Sequence, residues 1–230
     1  MKLLYVFPHP DDESFGPALA IAKQVRAGDE VHLLTLTRGG ATRERERLNL
    51  SVEEMGEVRL REMRCVERVL ALRSMEVLDY PDGELDHVNP LILEQEISRR
   101  ILAIDPDVVV TYAVHGISGH PDHLVCHAVV KGAFVASSER KRRLAFFTLV
   151  PTDEPERVPL RTSRPDQIGC AIEIGENERD VMRRALYCYE TYRGTIERHD
   201  PLSRVGDTVV FELWSERHPI PLRSLGELLS

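Results

Sequence analysis

His9-Pro10-Asp11-Asp12-Glu13 packs one imidazole and three carboxylates into five residues, directly after the apolar run Lys2 to Phe7. Carboxylates crowded at the carboxyl end of a buried strand repel one another and lose hydration, and a divalent cation reverses both penalties. A second cluster, Gly119-His120-Pro121-Asp122-His123, follows another apolar run, Asp107 to Tyr112. Two such clusters, each behind an expected strand, point to one shared metal site.

Catalytic zinc typically takes three protein ligands and keeps a position open. His9 and Asp12 supply two. His123, at the start of the following helix, supplies the third, with zinc the leading metal and iron(II) or another divalent ion compatible with the same donors. A bound metal brings the pKa of water toward neutrality, and a base must still accept a proton. Asp11, which points away from its ligand neighbour on an extended backbone, is the candidate general base. His120 stands one position outside the ligand set. It is placed to stabilise an oxyanion or to protonate a leaving group, with Asp122 as the carboxylate that fixes its tautomer. Glu13 reads equally as an acid of the site or as the N-terminal acid of the first helix.

Other residues carry two readings each. Asp82-Gly83 is first a turn, but its place at a strand end also makes Asp82 a candidate substrate contact. His115, in the loop before the second cluster, is a candidate pocket-lining or surface residue. Arg59 and Glu62 are spaced as an i,i+3 helix pair, or Arg59 contacts a sugar or phosphate. His87, His127, His199, His218 and Trp214 have no ligand-like partners in sequence and read as structural or exposed.

The elements that must position these groups are set by periodicity. Lys2 to Phe7 and Val31 to Leu36 read as strands, and between them Ala18, Leu19, Ile21, Ala22 and Val25 recur at helical spacing until Gly28. A charged stretch, Thr37 to Leu50, precedes a long helix over Val52 to Leu72. Met75 to Tyr80, Val108 to Tyr112 and Leu144 to Val150 are further strands, with helices over Leu91 to Ile104 and His123 to Val135 between them. Such alternation implies an α/β fold, a mostly parallel central sheet with helices on both faces. The proline-rich, charged segment 151–165 reads as a loop. A strand over Ile168 to Ile174, a helix over Asn177 to Tyr192 and a strand over Val209 to Trp214 complete the chain. Ligands of such sheets bind beyond the carboxyl ends of the strands, where both clusters fall.

Composition bounds the setting. The 230 residues, 42% hydrophobic, suffice for one sizeable core, so residues 1–230 are expected to form a single domain. A net charge of −8 argues against nucleic acid as partner. The four cysteines show no CxxC spacing and are expected as buried free thiols. No apolar run reaches membrane-spanning length and no signal-peptide pattern opens the chain, so the expected location is cytoplasmic.

His9-Pro10-Asp11-Asp12-Glu13 together with Gly119-His120-Pro121-Asp122-His123 resembles the LmbE-like (PIG-L) deacetylases. The likeness extends over most of the first 135 residues, through Thr37-Arg38-Gly39-Gly40, Arg59-Leu60-Arg61-Glu62, Pro81-Asp82-Gly83 and Thr111-Tyr112. It implies a Rossmann-like three-layer fold and zinc-dependent removal of an N-acetyl group from an N-acetylglucosamine-type conjugate. It also implies His9, Asp12 and His123 as ligands, Asp11 as base, His120 as the oxyanion-stabilising or acid residue, Arg59 as a substrate contact, and a homo-oligomer. Gly40 stands where the family commonly has a glutamate, Thr42 where it has a glycine, Ala113 where aspartate is frequent, and Ser118 where mycothiol-pathway members have a tyrosine. Past about residue 150 the likeness fades, in the part expected to shape the substrate pocket. A hydrolase of another amide or ester, such as a thiol-conjugate amidase, and a non-catalytic metal- or sugar-binding protein are the competing readings.

Overall fold

The computed structural model describes residues 1–137, 141–151 and 159–229. In chain order the elements are β1 (Lys2–Phe7), α1 (Pro17–Arg26), β2 (Glu30–Thr37), α2 (Glu44–Arg47), α3 (Val52–Leu70), β3 (Ser74–Tyr80), α4 (Pro90–Ile104), β4 (Val108–Tyr112), α5 (Pro121–Ala136), β5 (Arg143–Thr148), β6 (Cys170–Glu173), α6 (Glu176–Tyr187), α7 (Arg193–His199), α8 (Pro201–Val205) and β7 (Thr208–Leu213). Among the described residues the strands form one sheet in the order β3-β2-β1-β4-β5-β7-β6. The first five are parallel, and β7 runs antiparallel to both β5 and β6.

The alternation of side chains along a strand builds the layers. Leu3, Tyr5 and Phe7 of β1 face one core with Ala18, Leu19, Met63, Val66 and Met182 of α1, α3 and α6. Leu4 and Val6 face the other with Leu93, Ile97, Cys126 and Val130 of α4 and α5. Helices thus cover both faces, and the expected three-layer, mostly parallel α/β fold is the one found. The helix starts are sequence-coded: at α3, Ser51 Oγ accepts the Glu54 N–H while Glu54 accepts the Ser51 N–H, and α4 and α5 have proline in their first turns. Among the described residues no helix is long and apolar enough to cross a membrane.

The chain leaves β1 toward β2 and β3, then returns to add β4 on the other side of β1. Strand order reverses between β1 and β4, which opens a crevice beyond their carboxyl ends. The residues after β1 are the first cluster, and those after β4 lead to the second. Register pairs Tyr5 with Val110, so Phe7 and Tyr112 end side by side, with rings 4.9 Å apart.

The C-terminal part departs from expectation. The strand expected over Ile168 to Ile174 is shorter, Cys170–Glu173, and lies at the sheet edge. The helix expected to Tyr192 stops at Tyr187, and a short 3-10 turn comes after it at Glu190–Tyr192. Two ties across the core hold this bend: Thr191 donates its N–H and hydroxyl to Glu62 of α3, each at 2.8 Å, and Cys188 is joined to Cys65 of α3. The disulfide corrects the expectation of four free thiols, which holds only for buried Cys126 and Cys170. Its Cα–Cα separation of 5.7 Å is ordinary, but 123 residues separate the partners in sequence, so no local spacing reveals it. The short helices α2, α7 and α8 were not expected, and residues 152–158 of the loop expected over 151–165 lie outside the described residues.

Candidate active site

β1 ends at Phe7, and the chain turns at once. The His9 N–H donates to Asp12 Oδ2 at 2.8 Å, and the Asp11 carbonyl accepts the N–H groups of Ser14 and Phe15 at 2.7 and 3.0 Å. Asp11 has a φ of +87°, so it leaves the turn by a left-handed backbone and not the extended one expected. The turn sets Asp11 and Asp12 along the wall of a cavity of about 420 Å³, which also takes in His9, His120 and His123.

Asp12 sits between the two clusters. Its Oδ2 lies 3.6 Å from His9 Nδ1 and its Oδ1 lies 3.4 Å from His123 Nε2. Tyr112 donates its hydroxyl to the same Oδ1 at 2.8 Å, and its ring stacks on His123 at 4.4 Å and 7°. His123 Nδ1 lies 2.9 Å from the Gly116 carbonyl, which only a protonated Nδ1 can satisfy, so the Nε2 lone pair is turned to the cavity. Burial disfavours charge on His123 and lowers its pKa. Burial also opposes charge on His9, but the carboxylates of Asp12 and Asp122 beside its ring prevail and hold its pKa up to about 10. Asp12 is held below the usual carboxylate range because His123, His9 and Tyr112 outweigh its burial.

Donors bound at roughly 2.1 Å around a tetrahedral zinc lie about 3.4 Å apart. The Asp12 contacts match that spacing, and two imidazoles with one carboxylate suit a divalent cation. Asp12 meets the two histidines with different oxygens, and among the described residues the sets whose single donor atoms all lie within 4.8 Å of one another are His9, His120 and His123, and His9, Asp82 and Asp122. Donors of those sets carry protein partners of their own, as Asp12 does in accepting the His9 N–H and the Tyr112 hydroxyl. Asp122 accepts the N–H groups of Gly83 and Leu85 at 2.8 and 3.1 Å, Asp82 accepts the Ala41 N–H at 2.7 Å, and His120 Nδ1 accepts the Asp122 N–H at 3.1 Å.

Asp122 corrects the sequence reading. Its carboxylate lies 2.9 Å from His9 Nε2 and makes no bond to the His120 ring. The turn after β3 brings two peptide N–H groups to that side of α5, a neighbour that local sequence does not show. His120 caps α5 from its exposed end, with its ring 4.8 Å from that of His9.

Arg59 is 1% exposed. Its Nη2 donates to the Pro10 carbonyl at 2.6 Å and to Asp11 Oδ2 at 2.8 Å, and its guanidinium lies 3.9 Å over the Tyr192 ring. Burial raises the pKa of Asp11 and prevails over the opposing field of Arg59. Glu62, the expected i,i+3 partner, instead accepts from Thr191, so the helix-pair reading fails. Asp82 lines the cavity and ties Thr37 at the end of β2 to Ala41 in the loop after it. In that loop, a Cβ at Gly40 would run into the Val52 carbonyl, so a side chain has no room where the family commonly has glutamate. His115 turns from the cavity: its Nδ1 accepts the Ile117 N–H and its Nε2 faces Thr148 and Ser163. Glu13 is no helix cap, since α1 starts only at Pro17. It is fully buried, accepts from Ser14 and Tyr189, and is pushed up to about 7 by burial.

Sequence reasoning missed three tyrosines. Tyr112, the last residue of β4, was legible in principle, because a strand-end side chain on the same face as Phe7 must meet the turn that leaves β1. Tyr189 and Tyr192 carried no signal, since nothing local shows that the bend after α6 returns to β1. The cavity extends from the histidines to an apolar wall of Phe15, Phe147 and Leu149.

Residues 4–134, which hold both clusters, match the family model PIG-L, GlcNAc-PI de-N-acetylase. A 1D-myo-inositol 2-acetamido-2-deoxy-alpha-D-glucopyranoside deacetylase of Kineococcus radiotolerans is 32% identical over 197 residues, covering 70% of this chain and 55% of the relative. A mycothiol S-conjugate amidase of Streptomyces coelicolor is 31% identical over 160 residues, covering 62% and 54%. The chain spans about half the length of the curated relatives it matches. Among solved structures, a deacetylase of teicoplanin biosynthesis in complex with teicoplanin superposes with a TM-score of 0.73 at 17% identity, covering 95% of this chain and 99% of that one, a likeness of fold. With the family model matched over more than half its length and both clusters inside the match, the chain belongs to the PIG-L (LmbE-like) family.

Proposed function

We propose that the protein is a metal-dependent hydrolase that removes an N-acetyl group from an N-acetylglucosamine-type conjugate. The observation that carries this reading is the convergence of His9, Asp12 and His123 on one cavity wall with the Asp11 carboxylate beside them. His9, Asp12 and His123 would hold the metal, and zinc suits two imidazoles and a carboxylate best, with iron(II) second. When bound, the metal supplies Lewis-acid polarisation and lowers the pKa of water. Asp11, held by Arg59, accepts the proton of the water that attacks the amide carbonyl. His120 hydrogen-bonds the oxyanion as it develops, and the proton gathered by Asp11 passes to the departing amine. Acetate and a free amine result. Arg59 serves this chemistry through Asp11, and Asp82 shapes the sugar-facing loop. Asp122 orients His9.

A second reading, hydrolysis of a larger amide as in a thiol-conjugate amidase, is favoured by the apolar wall of Phe15, Phe147 and Leu149, which leaves space beyond that needed for acetyl. A small polar substrate fits a chain of net charge −8 better than a nucleic acid does. Metal-loaded protein incubated with a panel of N-acetylglucosamine conjugates should release acetate faster than it releases longer acyl groups. Preference for the longer acyl groups would favour the second reading.

A further inference from the structure

Tyr189 lies beyond the residues that match the family model, yet its phenol is bonded to the turn that carries the first cluster. The phenol oxygen accepts the Asp11 N–H at 2.9 Å and gives its proton to Glu13 Oε1 at 2.7 Å. A phenol has a single proton, so donation to Glu13 commits the oxygen's lone pair to Asp11. Glu13 is completely buried, and the same Oε1 takes the Ser14 hydroxyl at 2.6 Å. The sense of the chain is therefore fixed, from the Asp11 peptide to Tyr189 to Glu13.

Asp11 needs such a hold. A residue with a Cβ keeps a φ of +87° only where its surroundings impose it. The carbonyl side of Asp11 is fixed by Ser14 and Phe15, and its carboxylate by Arg59. Its N–H is fixed by Tyr189. Without the phenol oxygen that half-buried N–H loses its partner, and relaxation toward negative φ swings the carboxylate from its place on the cavity wall. Tyr189 is itself fully buried and follows Cys188, which is bonded to α3, so the phenol has little freedom to drift. It does not line the cavity, whereas Asp11 does.

We propose that Tyr189 is a positioning residue, holding the Asp11 peptide so that the Asp11 carboxylate faces the reacting groups. The proposal rests on the reading of Asp11 as general base. The test compares wild type, Tyr189→Phe, Asp11→Asn and the double variant, all zinc-loaded, with turnover of an N-acetylglucosamine conjugate expressed per bound metal so that misfolded protein drops out. Tyr189→Phe should lower kcat by about 10- to 100-fold, the scale of losing the phenol's hydrogen bonds to Asp11 and Glu13, with KM within about twofold. In the Asp11→Asn background it should lower kcat no further, because the group it positions is already gone. Wild-type kcat in Tyr189→Phe with Asp11→Asn inactive overturns the role of Tyr189 alone, as does an equal loss in both backgrounds. Full activity of Asp11→Asn overturns the reading beneath it as well.

Discussion

Replacing Arg59 by Met tests how Asp11 is held. Arg59 and Asp11 are a buried pair, with side chains 1% and 14% exposed and a contact of 2.8 Å. Removing one partner of such a pair leaves an uncompensated buried charge, which costs about 3–5 kcal/mol. A chain of this length unfolds with an entropy of roughly 0.5 kcal/mol/K, so Arg59→Met should lower Tm by about 6–10 °C. Asp11→Asn is milder, about 1–2 kcal/mol, because Arg59 keeps the Pro10 carbonyl and the Tyr192 ring. The double variant removes both charges, so no carboxylate is left without its guanidinium. It should therefore be more stable than Arg59→Met alone, with a coupling of about 2–3 kcal/mol. Thermal melts of the four proteins with metal bound measure that coupling. Additivity within about 0.5 kcal/mol would refute the argument, because it would mean that the pair carries no mutual dependence.

Other consequences are open to direct measurement. His123→Ala should fail to retain zinc after dialysis, whereas Asp11→Asn should retain it, as metal analysis would show. Gly40→Ala should destabilise the fold by about 1–3 kcal/mol in denaturant melts, since its Cβ meets the Val52 carbonyl, and Gly40→Glu should bring no gain in turnover. Unfolded without reductant, the protein should titrate the two thiols of Cys126 and Cys170, and reduction should lower stability by at most about 5 kcal/mol on loop-closure grounds. Arg143 hydrogen-bonds Glu216 and holds its carboxyl below the usual value. A depressed folded-state pKa stabilises above the unfolded value and is lost as pH falls through the folded one, so the stability gap between wild type and Glu216→Gln should narrow below about pH 4.

The fold was legible where pattern is local. Apolar runs of strand length alternating with amphipathic helices define β1 to β5, and the rule that ligands bind beyond strand ends brought His9 to Asp12 together with His120 to His123. What escaped was set by tertiary neighbours. Asp122 faces His9 because the turn after β3 lies against α5, a contact with no sequence signature. Glu13 reads as a cap in sequence because acidic residues precede a helix, but the turn delays α1 until Pro17 and buries the acid. The positive φ of Asp11 depends on Tyr189, and both Tyr189 and the Cys65–Cys188 bond join segments remote in sequence. Arg59 is the instructive case: its position on α3 was readable, but whether its cation faces a sugar or an aspartate depends on how α3 sits against the turn after β1.

Acetate release is the most direct test of the central claim. Wild-type protein and Asp11→Asn, loaded to equal zinc content, would be given an N-acetylglucosamine conjugate while acetate and free amine are counted. The account predicts equimolar acetate and amine from wild type, and a loss of about 10²- to 10⁴-fold in the variant with metal retained. No acetate from any such conjugate, or undiminished release by Asp11→Asn, would contradict it.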